Sequence, residues 1–328
     1  GHAYLVDGWT GLRAVDVSDP YAPDQVGSWT TSRGTPRAVA VNWTYAYVAN
    51  SSKGLRILDI SDPASPQEVG YWDTPGASVG VALAGKYAYV ADSLGGLRVI
   101  DVGNPFAPWE VGSCGTPDYA EAVAVSDGYA YVADHGAGLR IIDVSTPSAP
   151  AEVGSCDTPG IALDVALQGG YAYIADREMG LRIIDVSDPT SPVEVASWVL
   201  PATPTAVYGV AADGSYVYAA CNFAGLRILD VSDPRNPSAV AYWHTPGFPL
   251  GITIQGDRIF LADGGWGLLI FPKYAPPSFT DVAGNYWAWT EIESCVAAGI
   301  VAGYGDGIYH PDWPVTRDQM AVYIARAL

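Results

Sequence analysis

Positive charge is scarce in this chain. Its 328 residues hold 16 Lys and Arg against 35 Asp and Glu, a net charge of −19. With no basic patch evident to release counterions, nucleic acid and anionic membranes are disfavoured as partners. Long apolar runs are missing as well. None approaches the about 18 residues needed to span a bilayer, so no membrane insertion is expected. Only four cysteines occur, without C-x-x-C spacing and without His at zinc-ligand spacing. The histidines (His2, His135, His244, His310) share no recurring position, and no Ser-His-Asp arrangement stands apart from the background. Catalysis, a bound metal and a cofactor are therefore unsupported, and the chain reads as a non-enzyme.

What is abundant is turn chemistry around an apolar core. Hydrophobic residues make up 49% of the chain. Asp outnumbers Glu 27 to 8, and most Asp stand beside Gly, Pro or Ser, where a short carboxylate bonds nearby backbone. The segment Gly54–Pro63 reads G-L-R-I-L-D-I-S-D-P, and relatives start at Gly11, Gly96, Gly138, Gly180, Gly225 and, decayed, Gly267. The offsets are 43, 42, 42, 42, 45 and 42 residues. A fixed period near forty with strand-like segments is the mark of a propeller blade.

Residues 78 to 114 show the unit. Ser78–Leu83 reads as a small-residue strand, Tyr87–Asp92 as an aromatic one, then Gly96–Val102 and Trp109–Cys114, all separated by turn signals. Four short antiparallel strands repeated around a ring make an all-β, β-propeller fold. The third strand, L-R-I-L-D-I, is apolar on both faces because neighbouring blades cover both. Gly1 opens in mid-repeat with no signal peptide, as expected of a processed or trimmed N terminus. Two closures stay open. Seven blades leave the first without an inner strand and the last without an outer one, 26 strands in all. A six-bladed ring would close Phe248–Ile254 onto the N-terminal strands and leave the Arg258–Phe271 hairpin spare. The full pattern of that hairpin favours seven.

The repeat resembles the LVIVD family of cell-surface propeller repeats, whose signature corresponds to Leu55–Pro63, over residues 3 to 271. The domain reading is a propeller at 1–271, a stiff Pro-rich linker at 272–278 and a separate module at 279–328. In that module Tyr286–Ala298 reads as a helix with Trp289, Ile292 and Val296 on one face, and Thr316–Ala327 as a second helix. The module resembles a surface-layer homology (SLH) domain. Phe279–Asp281 matches the opening F-x-D, Trp287-Ala288 the W-A, Gly303–Gly307 the G-Y-x-D-G and Thr316–Gln319 the T-R-A-E, with Gln in place of Glu. The family usually carries three tandem copies, and one is present here. The resemblance implies a cell-wall polysaccharide as partner, with Asp281, Trp287, Tyr304, Asp306 and Arg317 as binding residues. A lone copy also leaves an aromatic face (Trp287, Trp289, Trp313, Tyr304) to be covered by assembly with other copies of the chain.

Within the propeller, Arg98, Arg140 and Arg182 are expected to be buried and paired with Asp92, Asp134 and Asp176 across their hairpins, because a buried charge needs a partner. The sixth repeat keeps Arg227 but has Cys221 for the Asp, and the seventh keeps Asp263 without the Arg. The D-x-S-D-P turns (Asp16 and Asp19, Asp59 and Asp62) could hold Ca²⁺, but backbone capping is the better account. Cys114 and Cys156 take the slot of Trp29, Trp72, Trp198 and Trp243, as small hydrophobes that do not bridge. Cys295 is expected on the apolar side of the first module helix. The sequons at Asn42 and Asn50 read as chance. Together these point to a non-catalytic extracellular structural protein of a bacterial surface. The alternative is a wall-anchored propeller enzyme, or a lectin-like or protein-binding module, using the tunnel mouth.

Overall fold

A computed structural model describes residues 1–8, 10–31, 33–200 and 206–274. The expected SLH helices, the residues named there from Asp281 to Arg317, and Cys295 lie outside the described residues. The rest forms 26 antiparallel strands in five four-stranded and two three-stranded sheets. This is a seven-bladed propeller, and the six-bladed closure does not occur.

Blade three shows how residue choice makes the unit. Its strands are Gly80–Ala84, Tyr87–Ala91, Leu97–Asp101 and Trp109–Cys114. Gly85 and Gly96, both at positive φ, turn the chain between the first and the next pair of strands. Tyr89, Leu97 and Val99 pack on Ala130, Val132 and Ile142 of blade four, and the pattern recurs around the ring. Tyr47, Tyr89, Tyr131, Tyr173 and Tyr218 are all at most 5% exposed. Each Val, Leu or Ile buried in such a junction contributes about 1.5–3 kcal/mol. Inner strands of blades two to seven stand side by side.

Blade one has only His2–Asp7, Gly11–Asp16 and Asp24–Trp29, and blade seven only Gly251–Gln255, Arg258–Ala262 and Leu268–Pro272. The missing strands are those the sequence count requires. The surfaces that meet at this seam are less covered. Phe260 is half-buried where its five Tyr equivalents are buried, and so are Leu5 and Val15 where Val48 and Leu58 are fully buried.

Outer strands carry two features that sequence reading passed over. In blade three Val99 faces Gly112 while Ile100 faces Glu110, so Val111 is an extra, bulged residue, and the same shift recurs in blades one to six. The glycine beside the bulge lies against the next blade. A Cβ on Gly70 would stand 2.0 Å from the Pro105 carbonyl oxygen, and one on Gly112 2.4 Å from that of Pro147. Blades five and six have Ala196 and Ala241 there.

The C-terminal end also differs from expectation. Pro272 closes the last strand, and the next two residues fold onto blade six. Lys273 pairs with Asp213, and Tyr274, 8% exposed, meets Tyr216 edge-to-face at 5.0 Å. Residues 272–274, assigned by sequence to the linker, thus belong to the propeller. Asn50 is 1% exposed, which closes that sequon to modification.

Replacing Gly112 by Ala should separate blades three and four locally. We expect a loss of about 1–3 kcal/mol in chemical denaturation with the far-ultraviolet spectrum unchanged. An unchanged midpoint would show that the Pro147 turn gives way freely.

Candidate functional site

The repeat arginines meet their acids on the hairpin between second and third strands. Arg98 Nε lies 3.5 Å from Asp92 Oδ2, Arg140 Nε 3.9 Å from Asp134 Oδ2, and Arg182 Nε 3.1 Å from Asp176 Oδ2. All three carboxylates are fully buried. A second acid reaches each guanidinium from the outer strand: Glu110 at 3.4 Å, Glu152 at 3.7 Å and Glu194 at 3.3 Å. Sequence reading missed these glutamates. Without the bulge they would project from the opposite face of the sheet, and the extra residue turns them onto the Arg face. Their signal was a Glu twelve residues after each Arg.

The buried acid also holds the connector from the preceding blade. Asp92 Oδ1 accepts from Thr74 Oγ1 at 2.5 Å and Oδ2 from the Gly76 amide at 2.8 Å. Asp176 does the same with Thr158 (2.6 Å) and Gly160 (3.0 Å). Burial pushes the Asp176 carboxyl above its ordinary range, while Thr158 and Arg182 pull it back. In blade two Asn50 donates instead to the Arg33 carbonyl (3.1 Å), and Arg56 pairs with Asp73 at 2.7 Å, as Arg140 does with Asp157. In blade six Arg227 stacks on Tyr242, 4.5 Å from the ring centre.

The D-x-S-D-P turns cap backbone. Asp59 Oδ1 accepts from the Ser61 amide and Asp62 Oδ1 from that of Ala64, at 2.9 and 3.0 Å. Hydrogen bonds from Ser61 hold the Asp59 carboxyl below its ordinary value. Among the described residues no group of three or more His, Cys, Asp or Glu is placed to hold a metal ion. Cys114 and Cys156 are both free thiols and face Leu97 and Leu139, as Trp72 faces Leu55.

The tunnel mouth is not uniform. At blade four His135 Nδ1 lies 3.3 Å from Asp118 Oδ2 and its ring meets Tyr119 at 5.5 Å. Burial raises the nearby Glu121 carboxyl. No hydroxyl or thiol bonds to His135 among the described residues, so this pair has no nucleophile to activate. At the start of the blade-five inner strand, Asp164 bridges to blade six. Its two oxygens accept from the amides of Val165 and Val210, each at 2.9 Å, and burial pushes it up to about 6.

Two concave surfaces lie at the outer rim. A groove of 610 Å³ runs between blades two and three past Tyr71, Phe106 and Pro108. A second, of 320 Å³, lies between blades one and two and gathers Arg33, Lys53 and Arg56. Tyr71, Glu68 and Asp73 line both. The expectation that the chain has no basic patch overlooked this grouping, because its members are spread over 24 residues of an acidic sequence.

Against known proteins, the model of the LVIVD repeat matches residues 1–31, 33–74, 75–116, 117–158, 159–199 and 206–245. The chain belongs to the LVIVD repeat family. Six LVIVD repeats are matched, and the shortened blade seven lies beyond them. The S-layer homology domain matches residues 278–321, which places this LVIVD protein at the cell surface in association with the cell wall. A curated relative, "Outer membrane protein SlpA" of Deinococcus radiodurans, is 39% identical over 59 residues, 17% of this chain and 5% of that protein. Solved structures share the fold alone. The RRP9 WD40 repeats align with TM-score 0.66 at 13% identity, covering 83% of this chain and 90% of that one. The computationally designed Ika8 protein aligns with TM-score 0.63 at 8% identity, covering 83% and 80%.

Two stability measurements follow. Arg182→Ala strands the buried Asp176 and should cost about 3–5 kcal/mol, while Arg227→Ala, with Cys221 opposite, should cost clearly less. Equal costs would dissociate the arginine from its acid. Asp164 gives a pH test. Its folded value of about 6 stands above the ordinary 3.8, so its contribution is full below 3.8 and lost as pH rises through 6. Acidification from pH 7 to 4.5 should therefore add stability through this residue, at most about 3 kcal/mol, and Asp164→Asn should remove that increment. The turn aspartates, lowered in the fold, lose their contribution only at more acid pH.

Proposed function

We propose that this LVIVD protein is a non-catalytic structural protein of a bacterial cell surface. Its propeller is a rigid body, and its SLH module attaches it to cell-wall polysaccharide and joins copies into a surface layer, sheet or filament. The observation that carries this reading is the SLH match at residues 278–321, C-terminal to six LVIVD repeats. The buried charges support it, because the Arg–Asp pairs of blades three to five and the Asp turns hold blades or backbone. The name of the Deinococcus relative, an outer membrane protein, agrees with an envelope location for this chain too. By their match to the SLH pattern, Asp281, Trp287, Tyr304, Asp306 and Arg317 take the glycan. Trp and Tyr act there as flat platforms and Arg317 as the partner of an acidic substituent. Trp289 and Trp313 extend the aromatic face used between copies.

The full chain should be retained on purified cell-wall polysaccharide, and Arg317→Ala should release it at least tenfold more readily. Retention that survives this change takes the arginine out of the site. Light scattering at micromolar concentration should show species larger than a monomer, and a clean monomer would remove assembly from the reading.

A further inference from the structure

In a repeat protein the shared residues maintain the ring, and a site shows where one blade departs from the others. Four departures of blade two meet at one place. The connector from blade one is a residue longer than those into blades three, four and five and brings Arg33. Asn50 stands where blades three, four and five have Asp92, Asp134 and Asp176, which removes one buried negative charge. Lys53, one of three lysines in the chain, occupies the hairpin position of Gly95 and Ala137. Tyr71 stands where blades three to five have Ser113, Ser155 and Ser197.

Their combined effect is a cationic groove on an acidic protein. Arg56 lies over the Tyr71 ring at 4.6 Å and reaches Asp73 at 2.7 Å and Glu68 at 3.8 Å. Arg33 and Lys53 line the same groove, and no carboxylate pairs with either among the described residues. Three cations against two carboxylates leave one positive charge uncompensated. On the far side of Tyr71 the adjoining groove presents Phe106 beside the Tyr71 ring, the two side chains 64% and 57% exposed.

We propose that these joined grooves bind an acidic saccharide, a short glycan bearing a single carboxylate. A single carboxylate matches the single free positive charge, whereas a dianionic phosphate would meet Glu68 and Asp73 at greater cost. The rings of Tyr71 and Phe106 offer flat apolar surfaces to the C–H faces of sugar rings. Glu68, Asp73 and the Thr30 hydroxyl accept from sugar hydroxyls. The site belongs to the propeller and stands whether or not the SLH module binds glycan.

Titration calorimetry on the full chain tests it, with sialyllactose, a trisaccharide carrying one carboxylate, as probe and a galactose trimer and a peptide with a single glutamate as comparisons. The acidic sugar should bind saturably, at least tenfold more tightly than either, and more weakly as salt rises. The variant Lys53→Gly with Tyr71→Ser carries blade-three residues, so the fold has already accepted both. It should keep the wild-type melting temperature and lose at least tenfold in affinity, while Arg317→Ala leaves binding at this site unchanged. Undiminished binding by the blade-two variant overturns the proposal. So does equal binding of neutral sugar or of the peptide, or no binding at millimolar concentration.

Discussion

The structure turns on a buried carboxylate at the hairpin of blades three, four, five and seven. In blades three and five that group takes a hydroxyl and an amide from the incoming connector and is balanced by the Arg six residues on, in the next strand. It therefore sets where one blade ends relative to the next, and a ring forms only if that spacing repeats. In blades three to five an arginine offsets the charge so buried, whereas blade seven keeps Asp263 buried on the Gly247 amide with no arginine in its third strand. The blades that abandon it show what replaces it: an amide in blade two, and in blade six a thiol with the arginine stacked on a ring. The 42-residue period is the sequence trace of this joint.

Much of this was legible because its parts are close in sequence. Arg and Asp share one hairpin, and the strand pattern has a period that counts blades directly. The parts that escaped cross a boundary that one-dimensional reading does not see. Glu110 changes face through a bulge of one residue. Gly112 matters because of a carbonyl in another blade. Arg33 and Lys53 are unremarked in a chain of net charge −19 until the connector and hairpin bring them together. Tyr274 looked like linker because it follows a proline, yet a tyrosine pocket on blade six claims it.

The ring presents two chemically different ends. The Asp-rich turns lie together at one end, their carboxylates held ionised by the backbone and hydroxyl groups they cap. The opposite end carries the hairpins, with Leu94, Phe223 and Trp266 exposed among His135, Arg177 and Lys53. A charged, hydrated end and a mixed apolar end give a surface protein a built-in polarity independent of any attached module.

The packing of Lys273 and Tyr274 on blade six decides how the ring would bear tension. Force applied to the chain beyond Tyr274 does not first peel the last strand from blade seven, where hydrogen bonds would break one at a time. It meets the Lys273–Asp213 pair, the bond from the Lys273 amide to the Asp257 carbonyl, and the Tyr274–Tyr216 contact. These anchor the tail across the junction of the last two blades. Load entering there is shared between two sheets and passed along the inner strands, away from the seam where both terminal blades are a strand short.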